Sequence, residues 1–130
     1  MAEETVKKKI LMVDDDPMIV ALMVKTLEGL GYEVLKGTNG LEALAIVKQT
    51  KPDLIILDQM MPKMDGIKTC AMLKADKRFI NVPVIMFTAS AEEADRTLSK
   101  QMGADDYCNK PLNVAELKQK IEQLLFKSNG

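Results

Sequence analysis

The sequence predicts one α/β domain, a three-layer sandwich in which a five-stranded parallel sheet carries helices on both faces. Three observations lead there. Short apolar runs alternate with amphipathic stretches of helical period along the chain, the pattern of strand–helix–strand units with right-handed crossovers. The runs are continuous, as in Ile10-Leu11-Met12-Val13 and Leu54-Ile55-Ile56-Leu57, so these strands are buried on both faces, as in a parallel sheet. The chain has 130 residues, 47% of them hydrophobic, and no linker, repeat or low-complexity segment divides it. That is enough to bury a core without disulfide or metal staples.

Taken in order, residues 1–5 read as a disordered tail and residues 8–127 as the ordered core of a single domain spanning 1–130. The first strand, Ile10 to Val13, runs into Asp14-Asp15-Asp16. Asp16 suits a helix N-cap and Pro17 the first helical position. Ile19, Leu22, Met23, Leu27 and Leu30 follow at helical spacing, and Gly31 supplies a stop. Glu33-Val34-Leu35-Lys36 is a weaker second strand. Asn39 with Glu42 has the form of a capping box, opening a helix expected to turn Leu41, Leu44, Ala45 and Val47 inward and to end before Pro52. The third strand, Leu54 to Leu57, ends at Asp58. A turn-rich loop follows it, and Gly66–Lys74 reads as a helix through Ile67, Cys70, Ala71 and Leu73.

A fourth strand, Pro83 to Phe87, ends in Thr88-Ala89-Ser90. Ser90 and Glu93 form another capping box, starting a helix that runs to Gly103. Its apolar positions, Ala91, Ala94, Leu98 and Met102, are sparse, which predicts a marginally docked helix. Asp106–Asn109 is the fifth strand, ending at Lys110-Pro111. Asn113 caps a last helix with Leu117, Ile121, Leu124 and Leu125 inward.

Composition removes several classes of function. A formal net charge of −1, with Arg78 and Arg96 as the only arginines, gives no electrostatic case for a membrane surface or for direct nucleic-acid binding. Histidine is absent, which excludes zinc sites of the usual Cys/His spacing and any Ser-His or Cys-His pair. Cys70 and Cys108 are expected as buried free thiols in a reducing compartment. The polar start lacks a secretory segment, and the longest apolar run, residues 18–24, is too short to cross a bilayer. A soluble, cytoplasmic protein is the expectation.

The chemistry gathers at the strand ends. In a parallel sheet the carboxyl ends share one edge, where ligands of open α/β folds bind. Asp58 alone could simply end a strand and begin a turn. Asp14, Asp15, Asp58, Thr88 and Lys110 all fall on that edge. Clustered carboxylates raise one another's pKa and invite a cation. Oxygen ligands alone select a hard ion such as magnesium, which takes one or two carboxylates, waters and a phosphate oxygen. The chain has neither of the glycine-rich loops that cradle nucleotide phosphates. An aspartate can itself attack phosphorus, with magnesium and Lys110 offsetting charge on the phosphoryl oxygens.

Val13-Asp14-Asp15-Asp16-Pro17, Leu57-Asp58, Met61-Pro62-Lys63-Met64-Asp65-Gly66, Thr88-Ala89 and Lys110-Pro111 together resemble the receiver domain of two-component response regulators, over residues 8–127. The resemblance implies a flavodoxin-like strand order 2-1-3-4-5. It implies that Asp58 accepts a phosphoryl group from a sensor histidine kinase or a histidine phosphotransfer protein. It implies that Asp15, Asp58 and the backbone carbonyl of Gln59 ligate magnesium, with Asp14 acting through water. It implies as well that Lys110 pairs with Asp58 and then with the phosphoryl oxygens, that Thr88 and the Ala89 backbone bond them, and that the Lys110–Pro111 peptide is cis. Thr88 and Tyr107 match the family's switch pair, and Met60 and Ser90 occupy positions that tune hydrolysis. Met60 is apolar, so slow self-dephosphorylation is expected.

The leading expectation is therefore a signalling module, not an enzyme beyond its own phosphorylation and dephosphorylation. It would be a monomer or a weak activation-dependent dimer, reaching a downstream target through its fourth helix, fifth strand and fifth helix. It could act as an effector or as a relay. Three alternatives stand beside it. One is the receiver part of a longer DNA-binding regulator. Another is an aspartate-nucleophile phosphatase, although that class carries Asp-x-Asp after its first strand. The third is a flavodoxin-like cofactor binder, poorly served by 4% aromatic residues.

Overall fold

A computed structural model describes residues 7–61, 63–89 and 92–126. Residues 1–5, Ser90, Ala91 and Lys127, where the sequence places a tail, a helix start and the end of the ordered core, lie outside the described residues. Five strands and five helices alternate: β1 Lys9–Val13, α1 Pro17–Gly29, β2 Glu33–Gly37, α2 Gly40–Gln49, β3 Leu54–Leu57, α3 Gly66–Lys74, β4 Val84–Thr88, α4 Glu93–Gln101, β5 Asp106–Asn109 and α5 Val114–Leu125. The sheet is parallel, in the order β2-β1-β3-β4-β5.

Alternation along the buried strands builds two cores, one on each face of the sheet. Ile10 and Met12 of β1, Leu54 and Ile56 of β3 and Ile85 and Phe87 of β4 meet Met23 and Leu27 of α1 and Leu117 and Ile121 of α5. Leu11 and Val13, Ile55 and Leu57, and Val84 and Met86 point the other way, toward Ala43 and Val47 of α2 and Cys70 and Leu73 of α3. Every side chain of β3 is fully buried, as a central parallel strand requires.

The helix caps explain where the chain turns. Asp16 accepts the Met18 amide at 2.9 Å, Asn39 accepts Glu42, Asp65 accepts Lys68 and Asn113 accepts Glu116. Gly31 (φ 102°) ends α1 in a conformation open to glycine.

The structure differs from the sequence reading in three helices. In α1 the core positions are Val20, Met23 and Leu27, and Leu22 is 53% exposed. In α2, Ala43 and Val47 are buried, whereas Leu41 and Ala45 face solvent. Close approach to α3 sets the phase of α2: a Cβ on Gly40 would lie 2.1 Å from Thr69 Oγ1, so the seam takes small residues and the leucine is turned outward. Glu42 does not close the box on Asn39; its carboxylate bonds the Thr38 amide and hydroxyl at 2.7 and 2.9 Å. α4 begins at Glu93, capped by the Glu92 backbone without a side-chain cap hydrogen bond. Leu98 of α4 is 41% exposed, in line with a weakly docked helix.

Segment 75–83, which carries no apolar period, closes through Lys74. Its Nζ donates to the Ile80 and Val82 carbonyls and to Asp105 Oδ2, while Phe79 and Val82 enter the core. No described helix is long and apolar enough to cross a membrane.

Candidate functional site

Strand register assembles the site. Val13 pairs with Leu57 across β1 and β3, so Asp14 and Asp58 leave the sheet side by side, and the Asp58 amide donates to the Val13 carbonyl at 2.9 Å. Leu57 pairs with Met86, two residues before Thr88, and Thr88 pairs with Asn109, one residue before Lys110. Five side chains from four strand ends thereby share one edge.

Ligand atoms of Asp14, Asp15 and Asp58 lie within 4.8 Å of one another. Asp14 and Asp58 are 1% and 4% exposed, and Asp15 opens to solvent. Lys110 Nζ reaches Asp14 Oδ2 at 2.8 Å and Asp58 Oδ2 at 3.5 Å. The resemblance pairs this lysine with Asp58, but the shorter contact is to Asp14. One ammonium here serves two adjacent carboxylates, and it sits nearer the more deeply buried one. Asp14 Oδ1 also accepts the Asp16 amide at 2.9 Å, which fixes its carboxylate.

Burial and then Asp14 push the Asp58 carboxyl up to about 6, with Lys110 and the Met60 amide acting against the rise. For Lys110, burial opposes the charge, but the Asp14 hydrogen bond and both carboxylates outweigh it and its pKa is raised. The donor set is oxygen only, close-spaced, electron-rich and open on the Asp15 side. These residues fit a small hard cation and offer nothing to a soft one.

The loop after β3 holds Asp58 in place. The Met60 amide donates to Asp58 Oδ1 at 3.3 Å, and the Gly66 amide donates to the Gln59 carbonyl at 3.0 Å. A Cβ on Gly66 would stand 2.1 Å from the Asp58 carbonyl oxygen, so α3 can start against the site only from glycine. The Gln59 carbonyl is thus already an acceptor, with a second lone pair open. Lys63 (φ 70°) takes the one positive φ of this loop among its described residues.

On the β4–β5 side Thr88 is fully buried, and Ala89 is exposed. The Lys110–Pro111 peptide is cis. Tyr107 is 8% exposed, and its hydroxyl stands 3.5 Å from Gln59 Oε1. Met60 is 70% exposed beside Asp58, and Ser90 lies outside the described residues. Sequence reasoning missed Arg96. Its guanidinium covers the Tyr107 ring at 4.9 Å and donates to Asn109 Oδ1 at 3.1 Å, tying α4 to β5. One of only two arginines placed on a helix with little apolar surface was the available signal.

With this geometry in hand, comparison with known proteins is specific. The family model of the response regulator receiver domain matches residues 10–122. Over 121 residues the chain is 44% identical to the alkaline phosphatase synthesis transcriptional regulatory protein PhoP of Bacillus subtilis, covering 93% of this chain and 50% of that protein. A putative response regulator from Chloroflexus aurantiacus superposes with a TM-score of 0.90 at 30% identity, over 94% of this chain and 100% of that one. The receiver domain of a sensor histidine kinase from Pseudomonas aeruginosa, solved with magnesium coordinated in its active-site cleft, gives 0.87 at 30% identity over the same shares. The chain spans about half the length of the curated relatives it matches. By this match across nearly the whole fold, the chain belongs to the response regulator receiver domain family of two-component signalling.

Proposed function

We propose that Asp58 is the phosphoryl acceptor of a phosphorylation-controlled switch. The observation that carries this reading is the close set of Asp14, Asp15 and Asp58 with Lys110 beside the buried carboxylate of Asp58. In the transfer, an Asp58 carboxylate oxygen attacks phosphorus, the phosphorus–nitrogen bond of a phosphohistidine breaks, and its electron pair returns to the imidazole of the donor. Asp15, Asp58 and the Gln59 carbonyl would hold magnesium, with Asp14 bonded to its water. When bound, the ion supplies positive charge to the phosphoryl oxygens. Lys110 leaves its carboxylate partners to meet the same oxygens, and the Thr88 hydroxyl and Ala89 amide bond them.

The apolar recess between Ile19 and Leu22 of α1 and Pro111 and Leu112 adjoins Lys110 and offers a histidine kinase or phosphotransfer protein a surface beside the acceptor. Output follows from movement of Thr88 toward the phosphoryl group and of Tyr107 behind it. The α4–β5–α5 face responds because α4 has little apolar anchorage.

The experiment is a titration with beryllium fluoride and magnesium, followed by amide NMR. The expected result is shifts at the strand ends that spread to α4 and β5, absent in Asp58→Asn. An equal response of that variant would refute the acceptor role. The curated relatives support a second reading, because they are transcriptional regulators in which the matched part is half of the protein. There the switch would control a DNA-binding segment of the same polypeptide, which the full-length gene sequence tests.

A further inference from the structure

Met60 stands apart from the core methionines. Its side chain is 70% exposed, whereas Met12, Met23 and Met86 are fully buried. Its amide donates to Asp58 Oδ1 at 3.3 Å, so an accessible thioether is rooted at the mouth of the acceptor site. We propose that Met60 is a site of oxidation by peroxide, and that its sulfoxide shortens the life of a phosphoryl group on Asp58. The second half rests on the acceptor role proposed above.

The oxidation balances simply. The thioether sulfur attacks one peroxide oxygen, the oxygen–oxygen bond breaks, and a sulfur–oxygen bond forms. The sulfur loses two electrons, hydrogen peroxide gains them, and the remaining oxygen leaves as water with both protons. Thiol-dependent reductases reverse this step. The oxidised side chain stays in solvent, so no packing is lost, unlike a core sulfoxide. The cysteines compete poorly for the same oxidant: Cys70 and Cys108 are 1% and 3% exposed, and burial pushes both thiols up to about 11.

The consequence follows from hydrolysis. Water must attack phosphorus from the solvent side, opposite the Asp58 oxygen that departs as carboxylate. A thioether is a weak acceptor and holds no water there. A sulfoxide oxygen is a strong dipolar acceptor on the same stem, able to orient and polarise that water as it attacks.

The test uses dilute hydrogen peroxide and two readouts. Peptide mass spectrometry is expected to find Met60 gaining oxygen well ahead of Met12, Met23 and Met86. Oxidised and untreated protein are then phosphorylated with acetyl phosphate and magnesium, and loss of the group is followed by intact mass. A several-fold shorter lifetime is expected after oxidation. Met60→Leu keeps its lifetime through the same treatment, although Met18 and Met72 remain oxidisable at 80% and 44% exposure. Met60→Gln, with a permanent side-chain oxygen, shows the shorter lifetime without peroxide. Equal oxidation of core and Met60 sulfurs, or an equal peroxide effect in Met60→Leu, overturns the proposal. Phosphoryl uptake with an unchanged lifetime overturns it alone, whereas no uptake by untreated protein overturns the acceptor reading as well.

Discussion

Replacing Asp58 by Asn is expected to stabilise the metal-free protein. Asp58 is 4% exposed, and burial together with Asp14 raises its carboxyl from the ordinary 3.8 to about 6. At roughly 1.4 kcal/mol per unit, keeping this group ionised at pH 7.5 costs the fold about 3 kcal/mol. Asparagine removes the charge and keeps an acceptor for the Met60 amide, but it also removes one carboxylate from Lys110, so the net gain is about 1–3 kcal/mol. The sign with pH is the reverse of an ordinary salt-bridged aspartate. A carboxyl with a raised folded-state pKa favours folding below about 4, and that contribution is lost as pH rises through about 6. The advantage of Asp58→Asn is therefore largest above pH 7 and narrows as the pH falls toward 4. Urea unfolding in the presence of a chelator, from pH 8 to pH 4.5, measures it. A variant less stable than the parent at pH 7.5, or a gap that does not narrow on acidification, would show that the buried Asp58 charge does not burden the fold.

Two further substitutions and the lifetime of the unaltered phosphorylated protein are open to the same kind of measurement. Gly66→Ala places a methyl carbon 2.1 Å from the Asp58 carbonyl; a loss of about 1–3 kcal/mol is expected from overpacking, together with loss of the beryllium fluoride response. Unchanged urea midpoint and response would contradict it. Lys74→Met removes hydrogen bonds to Ile80, Val82 and Asp105, and a cost of about 1–3 kcal/mol in urea unfolding is expected because backbone acceptors are left unpaired. Met60 in its reduced form cannot orient water, so the phosphorylated protein should decay slowly, and a half-life of seconds by intact mass would contradict that.

Much of the site was legible because strand ends are. A short, β-branched run such as Leu54 to Leu57, bounded by turn residues, reads as a buried strand, and parallel register then sends Asp58, Asp14, Thr88 and Lys110 to one edge whatever the helices do. The helix faces were harder to read. Leu22 and Leu41 look like core residues by hydrophobicity, yet Val20 and Ala43 occupy the seams, because phase is set by how closely each helix approaches its neighbour. The capping signal at Asn39 located the helix but not the partner of Glu42, one residue away. Arg96 was marked only by its rarity on a helix with little apolar surface, and neither its place over Tyr107 nor that of Lys74 on the 75–83 segment could be located, since both join parts of the chain that no local period connects. The pairing of Lys110 with Asp14 over Asp58 is likewise a matter of ångströms that sequence does not carry.

The acceptor role of Asp58 is tested most directly by phosphorylation with acetyl phosphate and magnesium. Borohydride reduction and peptide mass spectrometry then locate the acyl phosphate. The expected result is a gain of one phosphoryl group, mapped to Asp58, lost with a chelator and absent in Asp58→Asn. A gain mapped to Asp14, Asp15 or any other residue, or one that persists in Asp58→Asn, would contradict it.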